Sequence, residues 1–485
     1  MTQTPVDIDL KDKRLVICSN REPYKVTTTD SGYEYEATVG GLVSALIPIL
    51  RATEGLWVSW AGGGDLDKSE LPATQSIPAE EPKFTQRRVF LTEEEVNNYY
   101  YGFANQALWP LCHYFLEHAR FLQEHWDTYR EVNAKFARAI LEEVDIENDL
   151  LWLQDYHLAL VAGMIKDENP DLTTSIFWHI PFPHSDFFRF IPWRVELLEG
   201  LLGNDVIGFH LPQYCKNFGR AVNDILGYDW DRENLEIYVN DRVVKLLPRG
   251  IGVNFNYFNG IGGDSETIEK ARKIKQDLNC NRLILVVEGL DYSKRSKERL
   301  LTLERFLEEY PDFKGEVSLL QIAVPSRTHV PEYQAMKEEI DYHVGRINGK
   351  FSSNGWVPIH YFYYGLPQEE LIAYYRAADV ALITPIRDGM NLVAKEFAAA
   401  RSDEDGALVL GEMAGAAIEF PDLVAINPFD LYSCARALRA ALEMPDEQRH
   451  RTMKAMREQV QEKDLKWWIE ENLQELQEAG KITII

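Results

Sequence analysis

The sequence predicts an α/β protein built as two doubly wound domains, and two observations carry that prediction. Short β-branched apolar runs alternate with amphipathic stretches along almost the whole chain. The alternation is interrupted once, by the Gly/Asn-rich stretch 250–263 (GIGVNFNYFNGIGG), the best linker candidate, and then restarts. Strands alternating with helices imply parallel sheets, and two such runs imply two sheets. At 485 residues the chain is also too long for one ordinary core.

The elements follow in order. In the first run the strands are expected at 15–19, 57–61, 151–153, 175–179 and 206–210. Each is short and apolar, as strands covered on both faces should be. In the second run they are expected at 283–287, 317–324, 357–362, 380–384, 407–410 and 423–426. Residues 446–476 have helical periodicity and include Trp467 and Trp468, expected to pack on a core. The division is therefore a domain at 1–250, a second at 251–455, and a helical segment at 456–485 that packs back on the first. In such sheets ligands sit beyond the carboxyl ends of the strands, and two facing domains would place the site in the cleft between them.

Composition narrows the function. A formal charge of −26 argues against nucleic acid or an anionic membrane as partner, while leaving room for small anions held by a local cationic cluster. The five cysteines are scattered, without a CxxC pair, which fits a reducing cytoplasm and no structural zinc. The first residues lack the apolar core of a signal peptide, and no apolar run is long enough to span a bilayer. Self-association into a homo-oligomer is compatible with the chain, but no segment specifies it.

The most informative segment is 384–396 (TPIRDGMNLVAKE). A strand, a tight Asp388-Gly389 turn and a helix start follow one another, so free amides and the helix dipole form a phosphate-ready end. Asp388 can bind a sugar hydroxyl and Glu396 both ribose hydroxyls of a nucleotide. An ordinary capped helix would show the same pattern. Gly40 and Gly41, before a second amphipathic helix, are a weaker candidate cradle, with a plain turn as the simpler reading. Asp155, His157 and His179 lie at strand ends, where core residues bonded to backbone can also be found. The Asp-x-His spacing lacks a third metal ligand, so no metal is expected. The aromatic run 99–109 (YYYGFANQALW) offers faces for a sugar ring or simply for a core. Arg21, Lys294 and Arg327 each follow a strand, where cations in an acidic protein suit a phosphate.

Taken together, these residues resemble the retaining trehalose-6-phosphate synthases, a group that also contains glucosylglycerol-phosphate synthases. The likeness runs from about Leu15 to about Leu476 through SNR, GGL, GLWVSW, DYHL, HIPFP, LDYSK, PSR, GRINGK and TPIRDGMNLVAKE, in order. It implies two Rossmann-like domains of the GT-B type, no metal and no cofactor, with UDP-glucose and glucose 6-phosphate as substrates. It also implies roles. Arg21, Tyr100, Trp109 and Arg327 would hold the acceptor, and Asp155 its hydroxyls. Gly40 and Gly41 would pass the donor diphosphate, His179 would contact the donor glucose, and Lys294 would neutralise the leaving group. Asp388 would hold donor sugar hydroxyls, Glu396 the ribose, and the amides of Asn391, Leu392 and Val393 the phosphates. Leu366 would lie near the nucleobase. The implied product is α,α-trehalose 6-phosphate, an osmolyte precursor that would suit so acidic a chain.

The chain departs from the family pattern at two places. Gly289 stands where an arginine usually precedes LDY, and Arg295 stands where glycine is common. Losing a diphosphate arginine would cost about 2–4 kcal/mol of leaving-group stabilisation, with Arg295 the candidate substitute. Gln154 stands where His commonly precedes DYHL. Two alternatives remain: the sister enzyme acting on glycerol 3-phosphate, hinted at by REPY and FHLPQYCKNF, and a non-catalytic sugar-phosphate sensor of the same fold.

Overall fold

The structure of the chain, a computed structural model, describes residues 10, 13–29, 32–37, 41–61, 71–77, 84–325 and 331–479. The chain divides into two compact units, Met1–Gly250 with Lys466–Ile485, and Ile251–Leu465.

In the first unit seven parallel strands lie side by side: Phe84–Val89, Leu56–Trp60, Arg14–Arg21, Asp149–Gln154, Thr174–Trp178, Val206–Phe209 and Arg242–Pro248. Antiparallel strands complete the two edges. The middle strands are buried along their whole length, which explains their unbroken apolar sequence. The chain builds outward from its first strand to Phe84–Val89, then crosses to the other side of that first strand. The carboxyl ends of Arg14–Arg21 and Asp149–Gln154 therefore flank a topological switch point, where open α/β sheets hold ligands.

The second unit repeats the plan with six parallel strands: Ile359–Phe362, Val317–Val324, Arg282–Gly289, Val380–Ile383, Ala407–Gly411 and Val424–Ile426. This is the doubly wound order of a dinucleotide-binding sheet. Its switch point lies between Arg282–Gly289 and Val380–Ile383. One face is covered by Leu300, Leu303, Phe306, Ile340 and Leu438, all fully buried against Ile284, Val380, Leu382 and Val409. Each such side chain contributes about 1.5–3 kcal/mol by leaving water.

The expected linker at 250–263 is largely helix. Asn254 caps Phe255–Gly263, its side chain accepting the Tyr257 amide at 3.1 Å. A Cβ on Gly262 would stand 2.2 Å from the Ala400 carbonyl oxygen, so the glycine is there for close helix packing rather than for freedom of the chain. The helical end of the chain is two helices, Asp446–Glu462 and Leu465–Ala479. The first belongs to the second unit, and the chain re-enters the first unit at Lys466. There Trp468 is fully buried, 5.2 Å from Trp152 and 4.8 Å from Phe177 between ring centroids.

The aromatic run holds a feature that periodicity did not reveal. Val96–Leu108 is a π-helix of 13 residues, far longer than the single π-turn usual in proteins. A Cβ on Gly102 would come within 2.8 Å of the His125 ring, so glycine admits the following helix, Gln123–Leu141. Among the described residues no helix is long and apolar enough to cross a membrane.

Candidate active site

At the switch point of the first unit, five residues singled out in the sequence come together. Arg21 ends the first strand, and its guanidinium carbon lies 4.8 Å above the Tyr100 ring. Tyr100 stacks on His157 at 5.6 Å and leans on Trp60 at 6.1 Å. His157 Nδ1 is 3.9 Å from Asp155 Oδ2. Trp109 closes the wall through Tyr156, 6.2 Å away, whose hydroxyl donates to Asn105 Oδ1 at 3.2 Å. The result is an exposed cation, an aromatic wall and a carboxylate in sequence, suited to a phosphorylated sugar. Tyr99 steadies the arginine's strand from behind, donating to buried Asn20 at 2.9 Å.

Asp155 sits in an unusual conformation, with φ 73° and ψ 169°, a region occupied almost only by glycine. The bend turns its carboxylate back onto the backbone, where Oδ1 accepts the amides of Tyr156 at 2.9 Å and His179 at 3.1 Å. Burial pushes the Asp155 pKa up to about 7, with these two bonds working against it. Burial likewise pushes His179 down to about 3, so its imidazole is neutral. Its Nε2 lies 3.0 Å from Gln154 Oε1.

At the switch point of the second unit, Lys294 Nζ donates to Asp388 Oδ2 at 2.5 Å. Burial opposes the lysine's charge, but Asp388, Asp291 and Glu288 more than offset it and hold its pKa above the usual value. Asn391 donates to the same Asp388 oxygen at 3.1 Å, and the Met390 amide to the other at 3.3 Å. Asn391 is in the left-handed region at φ 83° and caps the helix Leu392–Ala400, accepting the Ala394 amide at 3.0 Å. The amides of Leu392 and Val393 precede that capped position and have no partner within the helix. The predicted phosphate-ready helix start is thus formed, with a lysine–aspartate pair beside it.

The two loops are cross-linked from beneath by residues that the sequence reading passed over. Thr384 Oγ1 donates to the Lys294 carbonyl at 3.1 Å, and the Ile386 amide to Ser293 at 2.9 Å. Arg299, almost wholly buried, donates to Thr384 Oγ1 at 3.1 Å and to Glu288 Oε1 at 2.5 Å. Ser296 and Gln321 complete the Glu288 shell at 2.6 and 3.3 Å. Only the folded sheet places Glu288, Gln321 and Thr384 on three neighbouring strand ends.

Arg295 does not stand ready to replace an arginine at position 289. It is left-handed (φ 57°), pairs with Glu298 at 3.1 Å and lies 4.4 Å over the Phe429 ring. A Cβ on Gly289 meets no described atom within 4 Å, and the residue is exposed at the strand's carboxyl end. The variant Gly289→Arg is therefore expected to fold with unchanged stability and to bind UDP about 10- to 100-fold tighter, one charge-assisted bond's worth. Calorimetric titration with UDP checks this; unaltered affinity would show that position 289 does not face the diphosphate.

Glu396 lies one turn along the capped helix, where Tyr375 donates to its Oε2 at 2.7 Å. Burial raises the Glu396 pKa, and that hydrogen bond opposes the rise. The hydroxyl leaves one carboxylate oxygen for a ligand, and nothing in the spacing of Tyr375 and Glu396 announces the pair. For Tyr375→Phe we predict about a fivefold rise in the KM for the nucleotide sugar at unchanged kcat, the loss of one hydrogen bond that holds the carboxylate in place. An equal fall in kcat would contradict a ground-state role.

Leu366 lies in the loop between Ile359–Phe362 and the helix Gln368–Ala377 and is partly exposed. Gly41 opens the helix Gly41–Ala52. Gly40 and Arg327 lie outside the described residues. Among the described residues no cluster of three or more His, Cys, Asp or Glu is placed to hold a metal.

Known proteins resemble this chain over nearly its whole length. The chain is 40% identical over 467 residues to the bifunctional trehalose-6-phosphate synthase/phosphatase of Thermoproteus tenax, covering 94% of this chain but 62% of that longer protein. It is 39% identical over 475 residues to the trehalose-6-phosphate synthase of Mycolicibacterium smegmatis, covering 96% and 93%. Among solved structures, a UDP-forming α,α-trehalose-phosphate synthase from Burkholderia xenovorans in complex with glucose-6-phosphate superposes with a TM-score of 0.85 at 32% identity, covering 96% of this chain and all of that one. An E. coli structure bound with UDP-2-fluoro glucose superposes with a TM-score of 0.87 at 31% identity, covering 97% and 99%. A family model described as glycosyltransferase family 20 matches residues 13–478. By that match, and by the relatives at this identity, the chain belongs to glycosyltransferase family 20.

Proposed function

We propose that the protein transfers glucose from UDP-glucose to glucose 6-phosphate, giving α,α-trehalose 6-phosphate and UDP with retention at the anomeric carbon. The observation that carries this reading is the Lys294–Asp388 pair at a capped helix start, with Glu396 one turn on. That set suits a nucleotide diphosphate joined to a sugar. Lys294 and the amides of Leu392 and Val393 take the diphosphate's charge, Asp388 takes sugar hydroxyls, and Glu396 takes the ribose. In the first unit, Arg21 takes the acceptor's phosphate and the Tyr100 wall its ring. The solved relatives that carry glucose-6-phosphate and UDP-2-fluoro glucose support the same pairing.

The chemistry needs no carboxylate nucleophile. The bond from the anomeric carbon to the diphosphate oxygen breaks while the bond to the acceptor hydroxyl forms on the same face. The hydroxyl's proton passes to the departing oxygen. The protein's part is position and charge, with Asp155 orienting the acceptor and Lys294 meeting the leaving group. The charge the diphosphate gains is met by Lys294 and amides, so the reading assigns no metal or cofactor. The free, buried cysteines fit a reducing cytoplasm.

An acceptor as small as glycerol 3-phosphate would leave the Tyr100–Trp60–His157 wall largely unfilled, which favours the hexose. A matrix of UDP-, GDP- and ADP-glucose against glucose 6-phosphate and glycerol 3-phosphate tests the proposal. Trehalose 6-phosphate from UDP-glucose is expected. A glycerol product alone, or no nucleotide release with any acceptor, would overturn it.

A further inference from the structure

We propose that Gln154 is a positioning residue that holds the His179 imidazole as its Nε2–H tautomer, leaving Nδ1 as the acceptor for a hydroxyl of the donor glucose. The inference rests on the glucosyl-transfer reading, in which His179 meets that sugar.

Gln154 ends the strand Asp149–Gln154, and His179 follows the neighbouring strand Thr174–Trp178. Two consecutive residues grip the histidine from two sides. Asp155 accepts its backbone amide, and Gln154 meets its ring at 3.0 Å. Phe177, His210 and Trp468 confine the ring, with centroids 4.7, 5.4 and 5.9 Å away. These three rings pack around the imidazole beside its contact with Gln154.

A neutral imidazole carries one proton, and the partner of one nitrogen decides where it sits. Burial keeps His179 neutral. The carbonyl oxygen of an amide can only accept, so Gln154 Oε1 requires the proton on Nε2. Nδ1 is then a bare acceptor, and no described residue bonds to it. Gln154 itself is 2% exposed, and its amide nitrogen has no partner. A buried amide kept at that cost, with the histidine as its one side-chain partner among the described residues, is placed for the histidine.

Long-range 1H–15N spectra of 15N-histidine-labelled protein read the tautomer directly, with His179 assigned by its loss in His179→Gln. We expect the Nε2–H form in the native protein, and a shift towards Nδ1–H or exchange between the two forms in Gln154→Leu. Gln154→Leu should also raise the KM for UDP-glucose about tenfold while UDP affinity stays unchanged. Gln154→Glu, which keeps an accepting oxygen, should retain the Nε2–H form and guards against a folding defect in the leucine variant. An Nδ1–H form in the native protein, or the same tautomer in Gln154→Leu, overturns the proposal. So does a tautomer shift that leaves the KM for UDP-glucose unmoved. The spectra need no turnover, so failure of the glucosyl-transfer reading would be seen separately, in the donor-by-acceptor assay.

Discussion

Replacing Lys294 by Ala is expected to slow glucosyl transfer by about 10²- to 10³-fold, the effect of removing one preorganised charge donor at a developing anion. Two losses combine. The leaving diphosphate loses its cation, and Asp388 loses the partner now 2.5 Å away. Asn391 and the Met390 amide would still donate to Asp388, but neither carries the positive charge that Lys294 supplies. Because the diphosphate gains charge as its bond to glucose breaks, kcat should fall more than KM rises. Lys294→Arg should recover part of the loss, since the loop carrying residue 294 is held by Thr384 and Ile386 independently of the side chain. Steady-state kinetics with both variants decide this; a kcat within twofold of the native value for the alanine variant would remove Lys294 from the mechanism.

Asp155→Asn is expected to lower turnover about 10- to 100-fold, one hydrogen bond to a charged group, while changing how stability depends on pH. Asparagine keeps an oxygen for the Tyr156 and His179 amides and tolerates positive φ better than most residues, so the fold should persist. The native carboxyl has a folded pKa raised to about 7, against about 3.9 when unfolded. A raised carboxyl pKa means that folding prefers the protonated form. Its contribution is fully present below about pH 4 and is lost as the pH rises through 7, on the order of 2–4 kcal/mol across that window. The variant lacks this term. Its melting temperature relative to the native protein should therefore climb between pH 4 and pH 7.5, both measured without ligand. A constant difference across that range would mean that Asp155 is not held in the strained, desolvated setting described.

The strain itself has a functional reading. A carboxylate turned back by a φ of 73° grips the amide of His179, the first residue beyond the neighbouring strand. Asp155 and His179 are thereby fixed to one another through a backbone hydrogen bond. Gln154 adds a second tie one residue earlier.

Much of this was open to a reader of the sequence. Most strand positions were, because an apolar run of four to six residues bounded by turn formers has few other uses, and each expected strand lies within a few residues of an observed one; Phe84–Val89 and Arg242–Pro248, with charged residues inside the strand, were not expected. The placement of Asp155, His179, Lys294 and Asp388 just beyond strand ends was also legible, because the doubly wound plan follows from the alternation of strands and helices. The glycine-rich stretch marked the boundary between the units at Gly250–Ile251 but misled about its local structure, because glycine serves both flexible chain and close helix packing, and the Ala400 contact at Gly262 shows the second. Arg295 misled for a related reason, since adjacency in sequence gives no direction to a side chain whose backbone is left-handed.

What the sequence by itself determined is local: two runs of alternating strands and helices, the residues at the strand ends, and a helix start ready for phosphate. Those features depend on hydrophobic period and turn chemistry within a dozen residues. Only the tertiary structure decided which strand ends are neighbours. It set Arg21 over Tyr100 at one switch point, Lys294 on Asp388 at another, Tyr375 on Glu396 and Gln154 on His179. It also decided that Val96–Leu108 winds as a π-helix and that the last helix, with Trp468, belongs to the first unit. Strand order and long-range packing are settled by the whole core at once, and no local pattern carries them.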